Sequence, residues 1–234
     1  MNNLVKTGEK YMKKKLKVLG ISVLSLILVL IIGIGMIFKG EIRTLISFKQ
    51  LNEHPFYEMT YHADYNLDEF LINGAATDDE LVSFVTKQIL KGVSFDVNPD
   101  GACSTFIATN LEDENLFGRN FDYVHSIGLI VRTQPKNGYK SISLVNLNHL
   151  GLSLENMPTK NLINRIVTLA APYAPLDGMN EKGLAIGVLV IQDGKVHQNT
   201  GKVPITTTSA IRMVLDKAAT VDEAIELLKN YDMN

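Results

Sequence analysis

An α+β domain behind a membrane-spanning helix is the architecture this sequence predicts, and three observations predict it. Residues 18–38 form a run without a single charge, opened by Val18, closed by Phe38 and rich in Leu, Ile and Val. Between residues 103 and 191, short apolar runs alternate with turn residues, the signature of strands. Helical periodicity behind Ser/Thr-x-x-Glu capping signals appears once before those strands and again after them.

The elements follow in order. Residues 1–17 carry Lys6, Lys10, Lys13, Lys14, Lys15 and Lys17 against Glu9 alone, a basic tail expected to stay cytoplasmic by the positive-inside rule. At about 1.5 Å per residue, the run 18–38 spans a hydrocarbon layer roughly 30 Å thick. It is longer than a usual signal-peptide core, and no small-x-small cleavage site follows Phe38. An uncleaved signal anchor is therefore expected, with a cleaved signal peptide as the alternative, and the rest of the chain is extracytoplasmic.

Residues 39–102 read as a tether and helical propeptide. His54-Pro55 marks a turn in the tether, and Thr77-Asp78-Asp79-Glu80 is a capping box that opens a helix over 78–91 with Leu81, Val82, Val85, Ile89 and Leu90 on one face. From Cys103 onward, strands are expected at 104–109, 116–119, 129–133, 141–146 and 184–191. The turn Asp177-Gly178-Met179-Asn180-Glu181-Lys182-Gly183 precedes the last of them, with Gly183 free to take positive φ. Thr206 to Thr208 cap a helix to about Ala219, and Thr220-Val221-Asp222-Glu223 opens another through Lys229. No terminal strand is evident after it.

Charge narrows the function classes. The formal net charge of −2 becomes −7 once the basic tail is set aside, so the remainder has no basic stripe and nucleic acid is not an expected partner. His125, His149 and His197 fit no compact ligand spacing, so neither a metal nor another cofactor is expected. Cys103 is the only cysteine, which rules out an intrachain disulfide and leaves a free thiol to explain.

A lone cysteine is often just a small buried hydrophobe. Here, however, Cys103 opens a strand-like run directly after the breaker cluster Pro99-Asp100-Gly101, and Arg119, a permanent cation, lies sixteen residues on with Asp122 three further. A thiolate is favoured by a neighbouring cation, and a polar turn over 110–115 lets a hairpin bring both residues back to the cysteine. The small Ala102 leaves the Ala102–Cys103 peptide bond open to attack by the cysteine's own side chain. Cleavage there would give Cys103 a free α-amine, whose reference pKa near 7.7–8.0 suits a base close to neutral pH.

Three motifs in order, Cys103-Ser104-Thr105, Gly118-Arg119-Asn120-Phe121-Asp122 and Asp177-Gly178-Met179-Asn180-Glu181-Lys182-Gly183-Leu184, resemble the choloylglycine hydrolase family of N-terminal-nucleophile amidases, which includes bile salt hydrolases, penicillin V acylases and the related acid ceramidase and N-acylethanolamine acid amidase. The resemblance implies a partial αββα sandwich over 103–234, the N-terminal half of the family's catalytic domain, and hydrolysis of a linear C–N amide bond. It implies Cys103 as nucleophile after loss of everything up to Ala102, Arg119 tuning the thiolate and Asp122 holding the new α-amine. The family's oxyanion asparagine position falls on Val190, where only a backbone N–H can donate. Residues 78–91 resemble the propeptide of the ceramidase-like branch.

The leading expectation is a membrane-anchored amidase for small N-acyl amides, with Phe121, Tyr123 and Val190 at the substrate and residues 18–38 in the lipid bilayer. The alternative is an inactive remnant, or one half of an assembly in which a second chain supplies the missing half-domain. The acyl group itself stays open.

Overall fold

The computed structural model describes residues 2–95, 102–122, 126–189 and 197–234. The basic tail and the apolar run form one helix, α1 (Asn2–Ile37), whose stretch Lys15–Ile37 has a mean hydropathy of 2.8 with none of it buried. By length and composition that stretch can cross a membrane.

Only Phe38 separates α1 from α2 (Lys39–Ser47), and the helical bonding runs on across it, from Phe38 N–H to the Ile34 carbonyl and from Ile42 N–H to the Phe38 carbonyl. Residues 39–65, expected to be a tether able to pack on the domain, contribute strands to its main sheet. They hold α2, the short strand β1 (Lys49–Gln50) and β2 (Phe56–Thr60), and Tyr57 and Met59 of β2 are fully buried. Burying such side chains yields about 1.5–3 kcal/mol each, which a solvated tether forgoes.

Next come α3 (Leu67–Asn73) and α4 (Asp78–Gln88). The Thr77 hydroxyl accepts the Glu80 N–H at 3.2 Å, while the Glu80 carboxylate takes the Ala76 N–H at 2.7 Å, so the box closes one residue earlier than the usual reciprocal pair. Strands β3 (Ala102–Thr109) and β4 (Asn115–Asp122) make the expected hairpin. At its turn, Asn110 Oδ1 accepts the N–H groups of Glu112 and Glu114.

Strands β5 (Gly128–Thr133) and β6 (Ser141–Asn146) follow, then α5 (Leu162–Val167) flanked by 3₁₀ turns at Leu147–Leu150 and Thr168–Tyr173. The motif around Gly183 gives β7 (Asp177–Asn180), a turn with Gly183 at φ +83°, and β8 (Ala185–Gly187); of the strand expected over 184–191, residues 188 and 189 lie outside it and 190 and 191 fall outside the described residues. The chain continues through β9 (Val203–Ile205), α6 (Thr207–Lys217), α7 (Val221–Leu228) and β10 (Tyr231–Met233). The last strand corrects the expectation of none: it pairs in parallel with β9, and Asp232 is fixed by the Thr200 hydroxyl and N–H.

Six strands form one mixed sheet in the order β1-β2-β5-β6-β7-β8, with β2 and β5 parallel and the other neighbours antiparallel. Register and the period-two alternation of strands assign its faces. Tyr57, Met59, Leu129, Val131, Ser143 and Val145 line the buried face, along with Gly178 and Asn180 of β7. There, Asn180 Nδ2 donates to the Leu215 and Ala218 carbonyls at the end of α6. A Cβ on Gly178 would stand 2.6 Å from the Ile142 carbonyl oxygen and 2.8 Å from Leu215 Cδ1, so the backbone of β6 leaves no room for a side chain here and the Leu215 side chain of α6 packs over the gap.

Ile142, Asp177 and Met179 alternate onto the opposite face, where Ile142 and Met179 are exposed. The fold is thus mixed α+β: where the resemblance implies a partial αββα sandwich, the described residues form one six-stranded sheet, with the β3–β4 hairpin and the β9–β10 pair as separate two-stranded units.

Candidate active site

The site begins with the hairpin register. Cys103 lies opposite Phe121 and Thr105 opposite Arg119, which puts Cys103, Thr105, Arg119 and Phe121 on one face of the hairpin. The diagonal reach of a long side chain then suffices: Arg119 Nη2 donates to the half-buried Cys103 Sγ at 3.1 Å.

Arg119 is held from its other side by the main sheet. Its Nη1 donates to the Val188 carbonyl, and its Nε lies 3.5 Å from Asp177 Oδ2, with the two side chains only 7% and 14% exposed. Asp177 is on the face of β7 away from α6, so the hairpin rests on the second face of the sheet at its β7–β8 end. Gly187, opposite Asp177 in the ladder, leaves room there, since a Cβ at that position would touch Arg119 Nη1, Asp177 Cβ and Phe117 at 3.4 Å each. The guanidinium therefore bridges the thiol and a buried carboxylate.

Burial pushes the Asp177 carboxyl above its usual range, and the Arg119 charge pulls it only part of the way back. Among the described residues neither Arg119 Nε nor Asp177 Oδ2 completes a hydrogen bond, so their attraction is one of charge rather than of a well-formed fork.

The other expected site residues fall in different places. Asp122 is exposed, accepts a bond from Asn120 Nδ2 at 2.6 Å and lies opposite Ala102 in the register, on the reverse face from Cys103 Sγ. It is close to the Ala102–Cys103 bond along the backbone, not to the thiol or to Arg119. Phe121 shares the thiol's face and meets the His149 ring edge-on at 5.9 Å. Tyr123, Val190 and His125 lie outside the described residues, as does the breaker cluster before Ala102. His149 is buried against Phe121, His197 is exposed, and among the described residues no three His, Cys, Asp or Glu side chains converge as a ligand set.

Asp177 is the residue that sequence reasoning passed over. The sequence places it in a turn motif, and only once Gly178 and Asn180 are seen to face α6 does strand parity put Asp177 on the hairpin side.

The family model for linear amide C–N hydrolases of the choloylglycine hydrolase family matches residues 103–233. The chain belongs to the choloylglycine hydrolase family. Searches of curated proteins and of solved structures return no match. Membership makes hydrolysis of linear amide C–N bonds the indicated chemistry, and the match begins at Cys103 itself. The choloylglycine hydrolase region therefore holds the hairpin, β5 to β10 and all of Cys103, Arg119 and Asp177, while β1, β2, α3 and α4 precede it.

Proposed function

We propose that the chain is an extracytoplasmic amidase anchored by residues 18–38, in which Cys103 becomes an N-terminal nucleophile by cutting the Ala102–Cys103 bond. The observation that carries this reading is the 3.1 Å contact between Arg119 Nη2 and Cys103 Sγ, at the residue where the family match starts. The lysines of residues 1–17 keep the N-terminus cytoplasmic.

In the self-cleavage step Cys103 Sγ attacks the Ala102 carbonyl carbon, the C–N bond breaks as the nitrogen takes a proton, and the resulting thioester is hydrolysed by water. The products are a carboxylate at Ala102 and a free thiol and α-amine at Cys103. In turnover, the α-amine takes the thiol proton, the thiolate attacks the substrate amide carbonyl, and the proton passes to the leaving amine. Water then hydrolyses the acyl-thioester.

Arg119 stabilises the thiolate, and Asp177 is a positioning residue that aims Arg119. Asp122, opposite Ala102 in the ladder, takes up the α-amine once Ala102 is released. Phe121, with Tyr123 and Val190, contributes to the place where a small N-acyl amide lies, and Val190 can supply only a backbone N–H to an oxyanion. The residues before the cut stay bound, because β2 is ladder-paired to β5 from Phe56↔Gly128 to Thr60↔Arg132 with Tyr57 and Met59 buried beneath.

An assay of the purified full chain on a panel of small N-acyl amides tests this reading. Hydrolysis by wild type and none by Cys103→Ala supports it; hydrolysis that survives Cys103→Ala removes the thiol from the mechanism. A second reading, in which the hairpin receives another chain, is favoured by Phe106 and Ile107, which are 63% and 79% exposed on β3.

A further inference from the structure

Helix α2 is mounted inside out. Its hydroxyl residues face the protein: Thr44 is fully buried with Oγ1 accepting the His62 N–H at 2.8 Å, and Ser47 Oγ accepts the Thr60 N–H at 3.0 Å while donating to the Thr60 carbonyl at 2.9 Å. Of its aliphatic residues, Leu45 packs against the core, whereas Ile46 is 77% exposed and Ile42, one turn earlier, 40% exposed. A surface helix in water has the reverse arrangement.

The apolar surface does not end at α2. Leu162 and Ile163 at the start of α5 are 69% and 63% exposed, and a groove of about 550 Å³ runs between the two helices, with Ile42, Leu45, Ile46 and Leu162 as its aliphatic lining and Thr159 and Asn161 as polar members at the α5 side. Arg165 locks the helices together, its guanidinium 4.4 Å from the centre of the Phe48 ring and within 3.4 Å of the Leu45 carbonyl. Exposed Lys39, Arg43 and Lys160 adjoin this surface, against Glu41 and Glu155.

We infer that this α2–α5 face lies in the interface of the membrane that α1 crosses, its aliphatic side chains among the lipid chains at headgroup depth. The inference rests on α1 being the anchor. What places the lipid there is continuity: the last residue of the apolar helix, Ile37, is one residue from α2, and the backbone bonding does not break between them. The face therefore meets the bilayer surface before any other part of the domain can. Aliphatic side chains ringed by lysine and arginine are the composition of an interfacial anchor, and anionic headgroups supply the counter-charge. The consequence is a fixed standing orientation of the domain on the membrane, not a globule swinging on a stalk.

Depth-resolved quenching tests it on the full chain in vesicles of phosphatidylcholine and phosphatidylglycerol. Single cysteines are placed, in a Cys103→Ser background, by Leu26→Cys, Ile46→Cys, Ile163→Cys or Leu111→Cys and labelled with an environment-sensitive fluorophore. All four positions are exposed, so the fold tolerates the labels. Expected are quenching of the Leu26 label by deep acyl-chain spin labels, blue-shifted emission at Ile46 and Ile163 with quenching by shallow spin labels, and water-like emission at Leu111. Water-like emission at Ile46 and Ile163 with Leu26 still quenched overturns the inference and leaves the anchor intact. A water-like Leu26 label overturns both. Blue-shifted Ile46 without lipid quenching means protein covers the face, which also overturns it.

Discussion

Replacing Asp177 by Asn removes a charge while keeping the side chain's shape, and the two consequences expected run in opposite directions. At 3.5 Å the attraction between Arg119 and Asp177 amounts to about 5 kcal/mol for an effective dielectric near 20. Taking an ion out of water costs several kcal/mol even after relaxation. The upward displacement of the Asp177 carboxyl says which is larger, since burial outweighs the arginine. A carboxyl whose pKa is raised on folding contributes stability that is complete below its unfolded value, near 4, and is lost as pH rises through the folded one. Above that titration the Asp177 charge therefore adds nothing net to stability, and Asp177→Asn is expected to unfold at the same or a slightly higher urea concentration than wild type. The wild type's stability relative to the variant should fall as pH rises through the folded-state titration of Asp177. The thiol responds otherwise: with its carboxylate gone, Arg119 loses its aim, and alkylation of Cys103 by iodoacetamide at pH 7 should slow about tenfold, the equivalent of about 1.4 kcal/mol of a charge-assisted contact. Urea unfolding followed by fluorescence and timed alkylation read by mass spectrometry measure the two effects in one preparation. A variant that unfolds several kcal/mol earlier, or one whose Cys103 reacts at the wild-type rate, refutes the assignment of Asp177 as a positioning residue.

Other perturbations follow from the same geometry. Arg119→Met deletes the 3.1 Å contact outright and should slow Cys103 alkylation about 10- to 100-fold, the range set by 1.5–3 kcal/mol for a hydrogen bond to a charged group. Gly178→Ala forces a Cβ to within 2.6 Å of the Ile142 carbonyl oxygen and should cost about 1–3 kcal/mol in urea unfolding, whereas Gly183→Ala strains only a φ of +83° in open space and should cost about 1 kcal/mol. Thr220→Ala removes the hydroxyl that caps Glu223 N–H at 3.2 Å and should destabilise by about 1 kcal/mol on thermal melting. Should the chain cut itself before Cys103, the pieces should co-elute in mild detergent and separate only in denaturant, because β2 remains laddered to β5.

What the sequence disclosed, and what it hid, divides along the range of the interactions. Both capping boxes form, Thr77 with Glu80 and Thr220 with Glu223, because the contacts are local, with each glutamate reaching one residue further back than the usual pair. The hairpin was also legible, because two strand-like runs joined by a short polar turn are local in sequence and pair as neighbours. Strand β2 was hidden: its parallel partner β5 lies beyond two helices and the hairpin, and no local pattern announces such a long crossover. The three-residue strand β10 was hidden for the same reason, being stabilised by β9 and by Asp232 bonded to Thr200. At the site, Cys103 and Arg119 were readable by their spacing, but the arginine's carboxylate partner proved to be Asp177 of the distant Asn-Glu-Lys-Gly motif, while Asp122 faces the other way. A hairpin predicts which residues share its face, and only the sheet beneath it decides which charge that face meets.

The central claim, that Cys103 is made an N-terminal nucleophile, is tested most directly by the intact mass of the full chain after incubation at mildly acidic and neutral pH. The account predicts conversion to two polypeptides whose masses place the break between Ala102 and Cys103, with Cys103→Ala remaining whole. A wild-type chain that stays a single polypeptide under both conditions, or a Cys103→Ala chain that is cut at the same bond, would contradict it.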